Sequence, residues 1–183
     1  MVPPRVSLQE TPRDLASLQP DAVVLRPYDP RADREGVVSC VAALQDFERT
    51  LEPGLPPGSH IARRYVEAML QRCAAYQGRV FVAVREGDIA GFTCVLARIP
   101  EIAPDEYTRP HASVGELYVM PELRGSGVGR RLLELAEAHA RERGAERLRV
   151  QVLAGNGGAR QLYAGFGFRE RLVELEKTLN ERD

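Results

Sequence analysis

The spacing of apolar residues in the first third of the chain predicts one strand followed by two helices. Segment 22–29 is the predicted strand, and segment 52–59, with its prolines and glycines, separates the two helices. Ser59 is the predicted N-cap of the second helix, because its hydroxyl can accept a hydrogen bond from the first turn. The apolar positions of the first helix recur at helical spacing, at Val37, Val41, Leu44, Phe47 and Leu51. The predicted apolar face of the second comprises Ile61, Tyr65, Ala68, Met69, Cys73 and Tyr76.

The middle of the chain predicts a β-hairpin followed by a long loop. Segment 79–84 is apolar at successive positions, as in a strand buried on both faces. Segment 89–99 returns as the second strand after a turn at 85–88. The acidic segment 100–113 is predicted as a loop, and loops of this length are often functional.

The last third of the chain alternates between strands and helices. The predicted elements are a strand over 114–120, a helix with Val128, Leu132, Leu135 and Ala136 on its apolar stripe, a strand over 145–153, a short helix over 157–166 and a last strand over 167–179. This order predicts a single α/β domain with a mixed sheet and helices on its faces. Residues 1–21 are polar and contain prolines, so we expect a poorly ordered arm ahead of a domain over 22–183.

Composition narrows the possible classes of protein. The formal net charge of −1 indicates no nucleic-acid partner, and the apolar runs are too short to span a bilayer. The N-terminus shows no secretion signal. The cysteines are three in number and widely spaced, which predicts buried thiols in a reducing cytoplasm. The three histidines lack ligand spacing, so no metal site is expected.

Three glycines at alternate positions precede the predicted helix after segment 114–120. Gly125, Gly127 and Gly129 fit either a flexible turn or a backbone that touches an anion. Arg130 stands where both the dinucleotide fingerprint and the Walker loop require a different residue. Free N–H groups at a helix start favour an anion, and a pyrophosphate would use several of them together with the guanidinium of Arg124 or Arg130.

A second motif follows the next predicted strand and carries a family resemblance. It is written Asn156-x-x-Ala159-x-x-x-Tyr163-x-x-x-Gly167-Phe168. Together with "GELYVMPELRGSGVG" it resembles the GNAT superfamily of acetyl-CoA-dependent N-acetyltransferases, over residues 22–179. The resemblance implies a GNAT-type fold, with a mixed, mostly antiparallel central sheet flanked by helices. It also implies that the glycines expose backbone N–H groups to the pyrophosphate of coenzyme A.

The resemblance assigns the coenzyme contacts residue by residue. The pyrophosphate loop comprises Arg124, Gly125, Ser126, Gly127, Val128, Gly129 and Arg130. The family often has a basic residue at the position of Ser126, where a hydroxyl hydrogen bond is expected instead. The strand before the loop is bulged in the family, and its backbone at Leu117 and Val119 is expected to pair with the pantetheine arm. Asn156 matches the residue that hydrogen-bonds the pantetheine.

Two residues are candidates for the chemistry. Tyr163 matches the tyrosine whose hydroxyl faces the thioester sulfur, and Glu116 stands where many members place a general base. An alkyl ammonium has a pKa near 10.4, so forming the free amine at about pH 7 costs roughly 4.6 kcal/mol, and a nearby base offsets this cost. The alternatives are a carboxylate paired with an arginine for Glu116, and a packed core tyrosine for Tyr163.

The acceptor is expected to be a small primary amine, and a cationic one. We expect the substrate wall to come from two segments, around 45–60 and 100–113. Both contain acidic residues, namely Asp46, Glu48, Glu52, Glu101, Asp105 and Glu106. The alternative is a solvated acidic surface. Other possible functions are acetylation of a protein or peptide amine, a non-catalytic acyl-CoA sensor and a purely structural interaction domain. No membrane partner is expected, and a homodimer is compatible with the sequence.

Overall fold

In the part of the chain that the structure describes, five strands form one open sheet in which spatial order follows chain order. A computed structural model describes residues 23–100, 110–177 and 179 of the 183-residue chain. The strands are β1 (Val24–Pro27), β2 (Arg79–Arg85), β3 (Asp88–Ile99), β4 (His111–Val119) and β5 (Leu148–Val150). Each neighbouring pair is antiparallel except β4 and β5, which run parallel.

Helices cover both faces of this sheet. They are α1 (Arg34–Leu51), α2 (Gly58–Ala75), α3 (Val128–Glu142) and α4 (Gly157–Phe166), with a single 3₁₀ turn at Pro121–Leu123. Val37 of α1 and Met69 of α2 are fully buried in one core beside Phe92. Leu132 of α3 is fully buried in a second core, which also contains Tyr163 of α4. No helix in the described ranges combines the length and the apolar character needed to cross a membrane.

A β-bulge divides β4 into two parts. Cys94 of β3 pairs with Glu116, but the next residue, Val95, pairs with Val114, so Gly115 is an extra residue without a partner across the ladder. Val114 faces the α3 side of the sheet, whereas Glu116 faces α2. The ladder between β4 and β5 ends at the Val114–Val150 pair. Beyond the bulge, therefore, the edge of β4 has no partner strand among the described residues, and the sheet opens there.

An ion pair fixes the start of α1 to β1. The guanidinium of Arg26 donates two hydrogen bonds to the carboxylate of Asp33, at 2.6 and 2.8 Å, and Asp33 also accepts from the backbone N–H of Asp29. These bonds hold the pKa of the buried Asp33 carboxyl below its usual value. The pair thereby sets the direction in which α1 crosses the sheet.

The structure confirms the predicted fold and shifts several boundaries. The sheet is mixed, mostly antiparallel and flanked by helices, and the hairpin and the helix over 157–166 lie where the sequence predicts them. β4 begins three residues earlier than predicted, and β5 is shorter than the predicted strand over 145–153. Ser59 is not an N-cap, because α2 begins at Gly58 with Pro57 in the capping position.

Two further expectations are wrong. The predicted last strand over 167–179 is not a strand in its described part, where Leu172, Val173 and Leu175 are exposed. Apolar residues alone do not make a strand, because a strand also needs a partner edge to hydrogen-bond. The second expectation is wrong in part: Met69 and Cys73 of the predicted α2 face are buried, but Ala62 and Val66 are buried in place of Tyr65 and Ala68. Residues 1–22 and most of the predicted loop, 101–109, lie outside the described residues.

The close approach of α1 and α2 depends on Gly58. A Cβ at this position would lie 2.1 Å from the backbone oxygen of Ala42, and the backbone N–H of Gly58 donates to Asp46 Oδ1 at 2.8 Å. Only a residue without a side chain fits this contact.

We predict that Gly58→Ala lowers stability by about 1–3 kcal/mol, the usual effect of overpacking, because the backbone of α1 must move away. Gly158→Ala is the matched control, since Gly158 also lies in the first turn of a helix and its Cβ would meet no atom within 4 Å. Urea unfolding of both variants measures the difference. Equal stabilities would contradict a steric role for Gly58.

Candidate active site

The bulge places the carboxylate of Glu116 in a buried cluster against α2. The side chain of Glu116 is 4% exposed. Its Oε1 atom accepts hydrogen bonds from the hydroxyl of Tyr65 at 2.5 Å and from the guanidinium of Arg72 at 3.0 Å. Its Oε2 atom is buried and has no hydrogen-bond partner among the described residues. Glu116 is therefore held on one side and keeps one oxygen free for a ligand.

Tyr65 and Arg72 reinforce each other around this carboxylate. Burial and the neighbouring charge of Glu116 raise the pKa of Tyr65 to about 12, so its hydroxyl stays protonated and donates. The guanidinium of Arg72 lies 5.6 Å from the centre of the Tyr65 ring, which is within cation–π range. The charge of Glu116 is thus compensated by a cation and a hydroxyl donor from one helix face.

Two thiols lie behind Glu116. Cys94 pairs with Glu116 across the ladder, and its Sγ atom is 3.3 Å from that of Cys73. The hydrogen bond with Cys73, burial and the Glu116 carboxylate all raise the pKa of the Cys94 thiol. Burial raises the pKa of Cys40 to about 11. All three cysteines are buried free thiols, as the sequence predicts. The described residues contain no cluster of three or more potential metal ligands.

The glycines before α3 serve two different purposes. Gly125 and Gly127 have φ angles of +77° and +87°, a region that side chains other than glycine rarely adopt. Gly129 instead allows close packing, because its Cβ would lie 3.3 Å from Leu162 of α4. Gly127 is the N-cap of α3 and provides no side-chain cap. The first N–H groups of the helix, which have no intrahelical acceptors, are therefore available to an anion.

Polar side chains of the loop already have partners in the protein. The hydroxyl of Ser126 donates to the carbonyl of Leu123 at 2.6 Å. The guanidinium of Arg124 lies 5.2 Å from the ring centre of Phe47, and its Nε donates to the carbonyl of Val119 at 3.1 Å.

The side chain of Arg130 contacts α4, whereas that of Arg124 contacts α1. Its guanidinium lies 5.4 Å from the ring centre of Phe166 and donates to the carbonyl of Gly165 at 3.3 Å. The two arginines thus connect the loop to α1 on one side and to α4 on the other.

Helix α4 carries the two residues of the second motif. The side chain of Asn156 caps this helix, because its Oδ1 accepts from the N–H of Ala159 at 3.1 Å. The amide nitrogen of Asn156 is the group that remains to donate to a ligand. Tyr163 is 8% exposed and packs edge-on against Phe168. Burial, and secondarily the charge of Glu48, raise the pKa of Tyr163 to about 12.

The six acidic residues expected to form a substrate wall have different surroundings. Asp46 caps the start of α2, and Glu52 is exposed at the end of α1. Glu48 is half-buried, and burial together with the charge of Glu116 raises its pKa. Glu101, Asp105 and Glu106 lie outside the described residues. Of the three described acids, Glu48 is the one that interacts with both Glu116 and Tyr163.

Sequence reasoning missed Tyr65 and Arg72 as partners of Glu116. Tyr65 was assigned to the apolar face of α2, and Arg72 was not singled out. The spacing of seven residues places both on one face of a helix, next to the buried stripe, and this signal was present in the sequence.

One family model and several curated relatives of this chain describe acetyltransferases. The model of the acetyltransferase (GNAT) family matches residues 41–168. The mycothiol acetyltransferase of Thermobispora bispora is 29% identical over 166 residues, which are 85% of this chain and 50% of that protein. The aminoglycoside N(6′)-acetyltransferase type 1 of Stenotrophomonas maltophilia is 32% identical over 62% of this chain and 76% of its own length. The chain spans about half the length of the mycothiol acetyltransferases that it matches.

Solved structures share the fold at low sequence identity. The aminoglycoside N-acetyltransferase AAC(6′)-Iy in complex with CoA has a TM-score of 0.64 and 19% identity, over 86% of this chain and 95% of that chain. The acetyltransferase described as putative from Pyrococcus furiosus also has a TM-score of 0.64, at 20% identity, over 86% of this chain and all of its own.

We predict that Tyr65→Phe lowers stability by about 1–3 kcal/mol, because Glu116 loses a hydrogen bond to a buried charge. Tyr28→Phe is the control, since the buried hydroxyl of Tyr28 has no partner among the described residues and its removal should be neutral or stabilising. Chemical denaturation of the two variants separates these outcomes. A Tyr65→Phe protein as stable as the wild type would show that the bond to Glu116 contributes nothing.

Proposed function

The chain belongs to the GNAT acetyltransferase family, and on this basis we propose that it moves the acetyl group of acetyl-CoA to a primary amine of a small, cationic acceptor. The amine attacks the thioester directly in this proposal. The observation that carries it is the opening of the sheet beside β4. There Leu117 and Val119 of the bulged strand, the first residue of α3 and Tyr163 of α4 belong to one packed cluster. We place the coenzyme beside this cluster, where β4 and β5 separate, a region that we call the cleft.

Groups along this edge of β4 and at the start of α3 suit coenzyme A. The free edge of β4 offers backbone groups near Leu117 and Val119 to the amides of a pantetheine arm, as an added strand would use them. The N–H groups at the start of α3 suit the pyrophosphate. The carbonyl of Val119 is bonded to Arg124 in this structure, so a pantetheine amide would have to replace that bond. A structural neighbour that binds CoA supports this assignment.

Tyr163 is proposed to stabilise the leaving thiolate. The pKa of its hydroxyl is about 12, whereas that of an alkyl thiol is about 8.5. Full proton transfer is therefore uphill by roughly 3.5 pK units, or about 5 kcal/mol. A hydrogen bond from the neutral hydroxyl to the sulfur avoids this cost and strengthens as negative charge develops.

A carboxylate is proposed to accept the proton of the acceptor ammonium. Glu116 is the candidate that the family resemblance supplies, and it stays a prediction. One of its oxygens is bonded to Tyr65 and Arg72, so Oε2, which is buried and has no hydrogen-bond partner among the described residues, is the oxygen left to accept a proton.

The proposed acceptor class rests on charge and on the relatives. Curated relatives are named for mycothiol and aminoglycosides, which supports a small-molecule acceptor. Glu48 supplies negative charge near Glu116, whose own charge is paired with Arg72, and this favours a cation. A cytoplasmic location, a possible homodimer and the absence of nucleic-acid or membrane partners stay predictions. Turnover of a small amine would distinguish this function from protein acetylation and from a non-catalytic sensor.

We predict that Gly127→Asp abolishes the rise in Tm that coenzyme A produces, because a carboxylate then lies against the pyrophosphate. Gly144→Asp is the matched control. Gly144 follows the other end of α3, also has a positive φ, +77°, and has equally open surroundings. Each variant is compared with itself, with and without coenzyme A. The same rise in both variants would place the pyrophosphate elsewhere.

We predict that Tyr163→Phe lowers kcat by about 10- to 100-fold, the range expected for a hydrogen bond to a charged atom. The KM for acetyl-CoA should change less than about twofold, because the bond matters mainly in the transition state. Tyr76→Phe, at the end of α2, controls for the loss of a hydroxyl. An unchanged kcat in Tyr163→Phe would mean that this tyrosine only packs.

A further inference from the structure

Glu48 is a half-buried carboxylate in line with the inner face of α1. Val37 and Val41 are buried on the inner face of this helix, and Leu44 packs against the same core. At 100° per residue, Glu48 lies on the line that these three residues define, eleven positions after Val37. An apolar residue would continue the stripe, so the glutamate departs from the pattern at the end of the helix that borders the cleft.

The neighbours of Glu48 on α1 touch both sides of the cleft. The ring of Phe47 lies 5.2 Å from the guanidinium of Arg124, in the loop before α3. The side chain of Leu51 lies 3.7 Å from the position of a Cβ on Gly155, in the segment before α4. This turn of α1 therefore contacts both the loop before α3 and the segment before α4, and Glu48 lies in the same turn.

Glu48 is also the uncompensated charge of the group. Its charge influences both Glu116 and Tyr163, so Glu48 lies near the two proposed catalytic positions. Glu116 is bonded to Arg72 and Tyr65. Among the residues that the structure describes, no lysine, arginine or histidine pairs with Glu48. A half-buried carboxylate without a paired cation is stabilised when a cationic ligand binds to it.

We propose that Glu48 binds the ammonium group of the acceptor and takes its first proton, the step for which sequence reasoning suggested Glu116. This inference rests on the proposed acetyl transfer and deepens it. Glu116 keeps its bonds to Tyr65 and Arg72, which compensate its charge, so Glu48 is the carboxylate left for the ammonium. The acceptor class is accordingly a primary amine that is protonated in solution.

The protons balance in this scheme. The ammonium gives one proton to an oxygen of Glu48, and the neutral nitrogen forms the C–N bond to the thioester carbonyl carbon. The C–S bond then breaks, and the sulfur leaves as a thiolate hydrogen-bonded by Tyr163. The nitrogen loses its second proton, which reaches the sulfur, so amide and thiol form. Glu48 releases the first proton to water.

The raised pKa of Glu48 suits this step. A carboxylate closer in pKa to the amine is the better proton acceptor, because the transfer is less uphill. The same shift has a consequence for stability. The ionised form is the less stable one in the folded protein, so the cost appears above the raised folded pKa and disappears below the unfolded value of about 4.3.

The test compares Glu48→Gln with the wild type and with Glu67→Gln, an exposed glutamate of α2 without an ion-pair partner among the described residues. Without ligand, Glu48→Gln should have a higher Tm than the wild type at about pH 7.5, and the difference should shrink near pH 4. Glu67→Gln should show no such pH-dependent difference. A Glu48→Gln protein that is no more stable at neutral pH overturns the proposal.

The kinetic part uses acetyl-CoA with spermidine and neamine as probe amines. Glu48→Gln should lower kcat/KM for the amine by about tenfold or more, the loss expected when a bond to a charged group is removed. The rise in Tm with acetyl-CoA should be retained in all three proteins. Activity of Glu48→Gln within about twofold of the wild type overturns this inference and leaves acetyl transfer intact. If neither probe is turned over by the wild type, amine binding is the deciding measurement: spermidine should raise the Tm of the wild type more than that of Glu48→Gln, and an equal effect on both overturns the inference.

The two proposals fail in different ways. If acetyl-CoA does not raise the Tm of the wild type, acetyl transfer itself is contradicted. If it does raise the Tm and Glu48→Gln is fully active, only the role of Glu48 is wrong.

Discussion

One extra residue in β4 determines the layout of the candidate site. Without the bulge at Gly115, Val114 and Glu116 would point to the same face of the sheet, because side chains alternate along a strand. With it, Val114 stays in the core beside α3 while Glu116 turns toward α2. The bulge also marks the last point at which β5 pairs with β4. A single insertion thus buries the carboxylate and opens the sheet next to it.

The carboxylates discussed above differ in whether an arginine is bonded to them. Asp33 and Glu116 are buried, and each is bonded to an arginine, the arrangement that makes a buried carboxylate tolerable. Glu48 is half-buried and has no such partner among the described residues. Stability would favour an apolar side chain there, in line with the stripe of α1 that leads to it. Uncompensated charge at a cleft is the pattern expected where binding, rather than folding, has selected the residue.

The sequence predicts local elements well where local chemistry decides them. The bounds of α4 match the prediction, because Asn156 caps its start and Gly167, with a φ of +102°, ends it. Long-range pairings are a different case. Tyr65 and Arg72 lie 51 and 44 residues from Glu116, and no spacing rule connects them. The predicted last strand fails for the same reason, since its apolar residues carry no information about a partner edge. On α2, Ala62 and Val66 are buried, while Tyr65 donates a hydrogen bond to Glu116.

The close packing at Gly129 has a consequence for distances in the proposed site. A Cβ on Gly129 would lie 3.3 Å from Leu162 and 3.7 Å from Val119, so the start of α3 packs closely against α4 and β4. Leu162 directly precedes Tyr163, so this packing links the position of the helix start to that of the tyrosine. If the pyrophosphate binds at that helix start, the distance from there to Tyr163 selects donors by the length of the arm between phosphate and sulfur. A shorter or longer carrier would present its acyl group out of reach of Tyr163.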